Sequence, residues 1–305
     1  VSSIVVVGVP TALGGNLPGD ATWARGMADA PAALRREGLP ERVAAACGPL
    51  ADHGDVAISP GYHEDPDRRA KNHALIVEAL PRVASAVESA LREGGPDSRL
   101  LLLGGDCTGH AAALAGIRRA RPGSRLALVW FDAHGDFNTT ETTPSGNVWG
   151  MPFAMACGRG DQELVGAVDG PSVREEDCAL IGGQVLDEAE SRMLAASPIA
   201  HFGAGMLAAD AGLAALAGWA SVVADRVDAF YIAIDHDVLD ASIDPAVAMP
   251  EAAGLSAETA LAVVRTIAAA GQIVAHGSTT MSLTHGDIPR TVAVAADLAI
   301  ASLAR

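Results

Sequence analysis

Leu126-Ala127-Leu128-Val129-Trp130-Phe131-Asp132-Ala133-His134-Gly135-Asp136-Phe137-Asn138 is the stretch on which the reading of this chain turns. A continuous apolar run passes directly into two carboxylates and an imidazole spaced two residues apart. In extended chain, residues i, i+2 and i+4 share one face, so Asp132, His134 and Asp136 can point at one spot. A second element of the same kind, Asp235-His236-Asp237, follows the apolar stretch Ala229 to Ile234. Burying unpaired carboxylates is costly, and coordinating divalent cations removes that cost. One histidine with four carboxylates suits two hard or borderline ions. A calcium-loop reading of Asp235 onward fails: Leu239 stands at the fifth position, Asp240 in place of the turn glycine and Ala246 in place of the closing glutamate.

Working outward, strand-like apolar runs recur at Ile4 to Val9, Leu100 to Leu103, Leu126 to Phe131, Cys178 to Ile181, Ala229 to Ile234 and Gln272 to Ala275. Helical patterns lie between most of them, at about Asp67 to Glu93, Thr108 to Ala120, Asp187 to Ala196, Gly205 to Ala224, Ser256 to Ala270 and His285 to Ala304. Continuously apolar strands alternating with helices are what a parallel sheet covered on both faces requires. The expectation is α/β: one three-layer domain over residues 1–305. The segments Thr139 to Gly150 and Asp240 to Gly254 are irregular and directly follow the acidic motifs. In open α/β sheets sites form in such loops, beyond the carboxyl ends of strands.

The 305 residues carry a formal net charge of -16, which argues against nucleic acid and anionic membrane surfaces as partners. The cysteines Cys47, Cys107, Cys157 and Cys178 form no C-x-x-C pair, as expected of a reduced, cytoplasmic protein. Val1 to Gly8 has no basic leader and reads as a first strand, and no window is apolar over the length of a membrane span.

Gly104-Gly105-Asp106-Cys107-Thr108-Gly109-His110 follows a strand and opens a helix. It fits neither nucleotide-binding glycine pattern and reads as a tight turn presenting one side chain at a strand end. Cys107 is there either as a small buried hydrophobe or as a thiolate ligand, and His110 either packs against the helix or reaches the site.

With GGDC, DAHGDFN, SGNVWGMP (Ser145 to Pro152) and DHDVLDASIDP in this order, and Ala30 to Arg35 like an early family helix, the chain resembles the arginase/agmatinase superfamily of binuclear manganese ureohydrolases. The resemblance covers almost the whole chain. It implies one metal ion on Cys107, Asp132, Asp136 and Asp235. It implies a second on His134 and Asp237, with Asp132 and Asp235 as bridges. In that family a metal-bridging hydroxide attacks the guanidino carbon and urea leaves. Asp136, His134 and the residue at position 149 then fall in the catalytic set, and Asn138, Ser145, Asn147 and Thr280 in the substrate-binding set. The family's trimers and hexamers suggest a homotrimer or homohexamer acting on a small molecule.

Several positions depart from the family pattern. Cys107 stands for a histidine ligand, and its extra negative charge and soft sulfur draw the metal preference from manganese towards zinc or iron. Trp149 stands for a proton-shuttling histidine; an indole exchanges no proton near neutral pH, leaving His110, His236 or Glu141 as substitutes. Thr280 stands for the glutamate that pairs with the guanidinium, and a hydroxyl cannot neutralise it. In Gly182 to Asp187 the aspartate that helps hold an α-amino group becomes Val185. The expected function is hydrolysis of a C–N bond in a linear amidine, a guanidino or N-hydroxyguanidino compound. The alternative is a catalytically inactive metal-binding relative with a structural or partner-binding role. Hydrolysis of another amide-like bond on the same centre is a third reading.

Overall fold

The computed structural model describes residues 4–15, 22–58 and 69–304. Eight strands lie among them: β1 (Ile4–Val9), β2 (Leu50–Asp55), β3 (Arg99–Gly104), β4 (Leu126–Asp132), β5 (Cys178–Gly182), β6 (Ala200–Phe202), β7 (Ala229–Asp235) and β8 (Ile273–Thr279). They form one sheet in the order β2-β1-β3-β8-β7-β4-β5-β6 with every pairing parallel. Along β4 the alternation of the pleat sends Leu126, Leu128 and Trp130 into one apolar layer and Ala127, Val129 and Phe131 into the other. Helices His73–Gly94 and Thr108–Ala120 pack on the first face; Asp210–Ala224, Ala257–Ala270 and Ile288–Leu303 cover the second. The central strands are buried on both sides, which is why they read as unbroken apolar runs.

The expected strands are all present, and β8 runs four residues further than its apolar core because His276 and Ser278 are buried polar residues. His276 Nδ1 meets Ser302 Oγ at 2.9 Å and its Nε2 meets Ser278 Oγ at 3.1 Å, so the strand continues without an unsatisfied group. The two strands that hydrophobic pattern missed are the two sheet edges. In β2 every residue is partly or fully exposed, and Arg35 braces it through a two-point ion pair with Asp52 at 2.7 and 2.8 Å. Strand β6 has only three residues.

The expected helix from Gly205 to Ala224 is two, Ala204–Leu207 and Asp210–Ala224. The chain folds back so tightly that a Cβ on Gly212 would lie 2.0 Å from the carbonyl oxygen of Met206. The helix expected from Asp67 is described from His73, after Asn72 in a left-handed turn at φ 58°; Asp67 and Arg68 lie outside the described residues, as do Val1 to Ser3. Lys71 is half-buried, and its Nζ donates to Asn147 Oδ1 at 3.2 Å.

The chain lays down β1 to β3 on one side and β4 to β6 on the other, then returns through β7 and β8 to fill the gap between β3 and β4. The carboxyl ends of β3, β8, β7 and β4 therefore stand side by side at the switch in strand order, where α/β sheets place their sites.

Candidate metal centre

Each of those four strand ends delivers part of one cluster. Asp132 is the last residue of β4 and Asp235 the last of β7; Cys107 caps the helix that follows β3, and Thr280 follows β8. Asp237 sits in a single 3-10 turn opened by Asp235, whose carboxylate accepts from the Asp237 N–H at 2.8 Å. Asp136 has a left-handed backbone, φ 48°, which turns the chain back over the sheet. Its carbonyl oxygen accepts from the N–H groups of Phe153 and Ala154 at 3.0 and 3.2 Å, so the start of helix Pro152–Ala156 is docked on the acidic loop.

Asp132, Asp136, Asp235 and Asp237 are each at most 4% exposed. Among the described residues no lysine or arginine pairs with any of them; His134 alone does, with Nδ1 at 3.2 Å from Asp132 Oδ1 and 3.1 Å from Asp237 Oδ2. Ligand atoms of Cys107, Asp132 and Asp235 lie within 4.8 Å of one another, and so do those of Asp132, His134 and Asp237. Asp136 Oδ2 is buried and has no hydrogen-bond partner. Burial first, then mutual repulsion, raises Asp136 and Asp235 well above the ordinary carboxylate range, and Asp237 above it as well. Burial works the same way on Asp132, but hydrogen bonds and charge from His134 and a bond from Trp130 Nε1 at 3.0 Å overcome it and hold Asp132 low. A buried cluster of four acids with one facing histidine and an unpartnered oxygen is chemically complete only with added positive charge. Its oxygen, nitrogen and sulfur donors fit divalent ions.

Cys107 is buried, and its Sγ donates to Asp235 Oδ2 at 2.9 Å. Burial and the nearby carboxylates push the thiol well above its usual value, so the metal-free chain holds it protonated. The Thr280 hydroxyl donates to Asp235 Oδ1, which ties this residue to the acidic cluster.

These residues floor a cavity of about 300 Å³. Its lining contains Cys107, His134, Asp136, Asn138, Ser145, Asn147, Trp149, Asp235, Asp237 and Thr280, so every residue of the implied metal, catalytic and substrate-binding sets opens onto it except the fully buried Asp132. Asn138 lies at its side with both amide atoms engaged: Nδ2 donates to Asp187 Oδ2 at 3.0 Å and Oδ1 accepts from Thr142 at 2.9 Å. Trp149 stands at the mouth, 5.4 Å from the Trp23 ring, and its backbone N–H donates to the Gly14 carbonyl at 3.0 Å. Gly14 is in turn held by the buried carboxylate of Asp106 at 2.7 Å.

None of the three groups considered as substitutes for a shuttling histidine lines the cavity. His110 is sealed in the core between Tyr231 Oη at 2.8 Å and Thr279 Oγ1 at 3.0 Å, and burial lowers its pKa to about 3. His236 is fully buried with neither ring nitrogen partnered, and burial lowers it to about 4. Glu141 is exposed.

The pattern reading also missed three acids that line the cavity: Asp187, Glu190 and Glu251. Asp187, two residues after Val185, gives this wall of the cavity a carboxylate although position 185 itself carries none. Asp187 and Glu190 form a capping box at the start of helix Glu188–Ala195, a D-x-x-E pattern visible in the sequence. Glu190 reaches back to accept from the Phe137 N–H at 2.9 Å, and burial lifts its pKa to about 7. Gly135 leaves room for this contact: a Cβ there would lie 2.5 Å from the Glu190 carboxyl carbon and would displace that side chain.

A family model described as the arginase family matches residues 2–304. The chain is 33% identical to the arginase of Bacillus caldovelox over 257 residues, 83% of this chain and 82% of that protein. The solved native structure of a Bacillus caldovelox arginase superposes with a TM-score of 0.88 at 29% identity, covering 100% of this chain and 99% of the other. Formimidoylglutamase from Bacillus subtilis shares the fold at a TM-score of 0.76 and 21% identity, over 99% of this chain and 86% of that one. With the parallel sheet and the acidic cluster already in view, the chain belongs to the arginase family and has its ureohydrolase fold.

Proposed function

We propose that this chain hydrolyses a C–N bond of a linear amidine, a guanidino or N-hydroxyguanidino compound, with two divalent ions held by the acidic cluster. The observation that carries the reading is the cavity itself: its floor is four buried, repelling carboxylates, one of them with an unpartnered oxygen, beneath space for a small molecule. Cys107, Asp132, Asp136 and Asp235 would hold one ion, and His134, Asp132, Asp235 and Asp237 the other. Two such ions would supply Lewis acidity and a water made nucleophilic near neutral pH. Manganese fits the carboxylates; the Cys107 sulfur favours zinc or iron.

The chain's own residues then divide the work. Thr280 fixes the orientation of Asp235. Ser145 and Asn147 offer hydrogen-bonding groups to the polar tail of a substrate, while Asn138 positions Asp187. Asp187 and Glu190 give that side of the cavity an acidic face suited to an amine. Trp149 with Trp23 narrows the entrance and keeps water out. With a threonine at 280 the guanidinium lacks a charged partner, so the less basic N-hydroxyguanidino group is favoured.

The rival reading, an inactive metal-binding relative, draws on the protonated Cys107 engaged with Asp235, which leaves one of the two positions short of a donor. The deciding experiment is elemental analysis of purified protein with a urea-release screen on guanidino and N-hydroxyguanidino substrates, run on wild type and Cys107→His. Two ions per chain, urea release from a hydroxyguanidine, and a shift of Cys107→His towards manganese are expected. Two bound ions without urea release from any substrate would favour the inactive reading.

A further inference from the structure

His134 faces the acidic cluster with one ring nitrogen only. Its Nδ1 is turned to Asp132 and Asp237, and its Nε2 points the opposite way, to Glu251 Oε1 at 3.8 Å. An imidazole that gives Nδ1 to a metal keeps its remaining proton on Nε2, and metal-binding histidines generally donate that N–H to a carboxylate, which fixes the ring and makes it a better ligand. Among the described residues, His134 is the only polar partner of the Glu251 carboxylate.

The loop that carries Glu251 is pinned beside the acidic motif. The Glu251 carbonyl accepts from the Ala241 N–H at 2.8 Å, and Asp240 N–H donates to the Leu255 carbonyl at 3.0 Å. Asp240 Oδ2 accepts from the Gly254 N–H at 3.1 Å while Oδ1 accepts from Ser242 N–H at 2.9 Å. A bridge between Leu239 and Leu255 closes the base of the loop. Asp240 follows Asp237 by three residues, so the segment that supplies the acids also anchors the loop that brings Glu251 over His134. The other two acids of the wall are already committed, Asp187 to Asn138 and the helix cap, Glu190 to Phe137 and Asp187. Glu251 is the one left to face the imidazole.

We infer that Glu251 is a positioning residue for the metal centre: it accepts the Nε2–H of His134, fixes the tautomer that leaves Nδ1 free to coordinate, and so strengthens the metal position on the His134 side and not the one on the Cys107 side. This rests on the two-ion reading above, but it concerns binding and not turnover. At 3.8 Å the pair is longer than a hydrogen bond, and the inference requires the partly exposed Glu251 side chain to close that gap when metal occupies Nδ1.

The test is a calorimetric titration of chelator-stripped full-length protein with manganese, comparing wild type with Glu251→Ala and Glu251→Gln. Glu251→Ala is expected to weaken one of the two binding events by about 10–100-fold and to leave the other within about twofold. Glu251→Gln, which keeps an acceptor oxygen, is expected to recover most of that loss. The melting temperature of the metal-free chain is expected to be the same in all three, since the Glu251 carboxylate carries no backbone hydrogen bond. Equal weakening of both events, no weakening, or no recovery with glutamine would each overturn the inference. Two ions bound without catalysis would refute the hydrolase reading and leave this one standing.

Discussion

The floor and the mouth of the cavity are held in different ways. The floor consists of Cys107, Asp132, Asp136, Asp235 and Asp237, each at most 4% exposed and each at or just beyond the end of a central strand. The mouth consists of Ser145, Asn147, Trp149 and Glu251, carried on loops and for the most part partly exposed. Strand ends in the middle of a doubly covered sheet cannot shift without disturbing two packed layers, whereas loop residues can change with little effect on the fold. The metal-binding acids of the family pattern accordingly stand unchanged on the floor, where Cys107 takes the place of a histidine and the adjoining Thr280 that of a glutamate. The mouth carries Trp149 where the pattern has a histidine. A chain of this kind can hold on to its metal chemistry while its substrate changes.

The sharpest way to break this contrast is at the floor. Asp235→Asn is expected to abolish the stabilisation that metal gives. At a free-ion concentration of 100 times Kd that stabilisation is about 2.7 kcal/mol for each ion bound, a rise of several degrees in melting temperature. Thermal melts with and without manganese read it directly, and a wild-type-sized rise in the variant would show that the floor does not hold the ions.

A second effect, of intermediate size, is set by pH. In the metal-free chain Asp136, Asp235 and Asp237 have raised pKa values, so from about pH 4 upward the folded state holds more protons than the unfolded one. Their contribution to metal-free stability is therefore present at low pH and lost as pH rises through the raised values. Metal binding requires these groups ionised, so the gain in melting temperature from metal should be largest near pH 8 and shrink steadily towards pH 5. The buried, neutral His110 and His276, both lowered to about 3, also make stability depend on pH, but equally with and without metal, and cancel in the difference. A pH-independent gain would mean that protons and metal do not compete for the cluster.

The smallest expected effect is at the mouth. Trp149→Phe keeps an aromatic ring against Trp23, and should leave the number of bound ions unchanged and the metal-dependent rise in melting temperature within about a degree. Any change should appear in KM for the hydrolysed substrate. A loss of bound metal in this variant would erase the distinction between floor and mouth.

How much of this was legible in the sequence follows the same division. Alternating acids after an apolar run announced the floor, because strand period and the cost of buried charge are both local arguments that apply to Asp132, His134 and Asp136 or to Asp235 and Asp237. The edge strands β2 and β6 escaped because β2 is partly or fully exposed along its whole length and β6 has only three residues, so neither carries an apolar run. Glu190 was half visible as a helix-capping pattern, but nothing local told that its carboxylate turns back to Phe137 and into the cavity. Glu251 carried no signal, since a lone glutamate in an irregular loop has no periodicity to place it.

The amino-acid sequence by itself determined that this is a parallel α/β chain with acids gathered at strand ends, since hydrophobic period and the energetics of burial act over a few residues. Only the tertiary structure decided which of its ionisable groups share the cavity. It sealed His110 and His236 into the core and brought Asp187, Glu190 and Glu251 to the site. Those placements depend on strand order and on segments meeting across 49 to 169 residues of chain, and no local pattern encodes them.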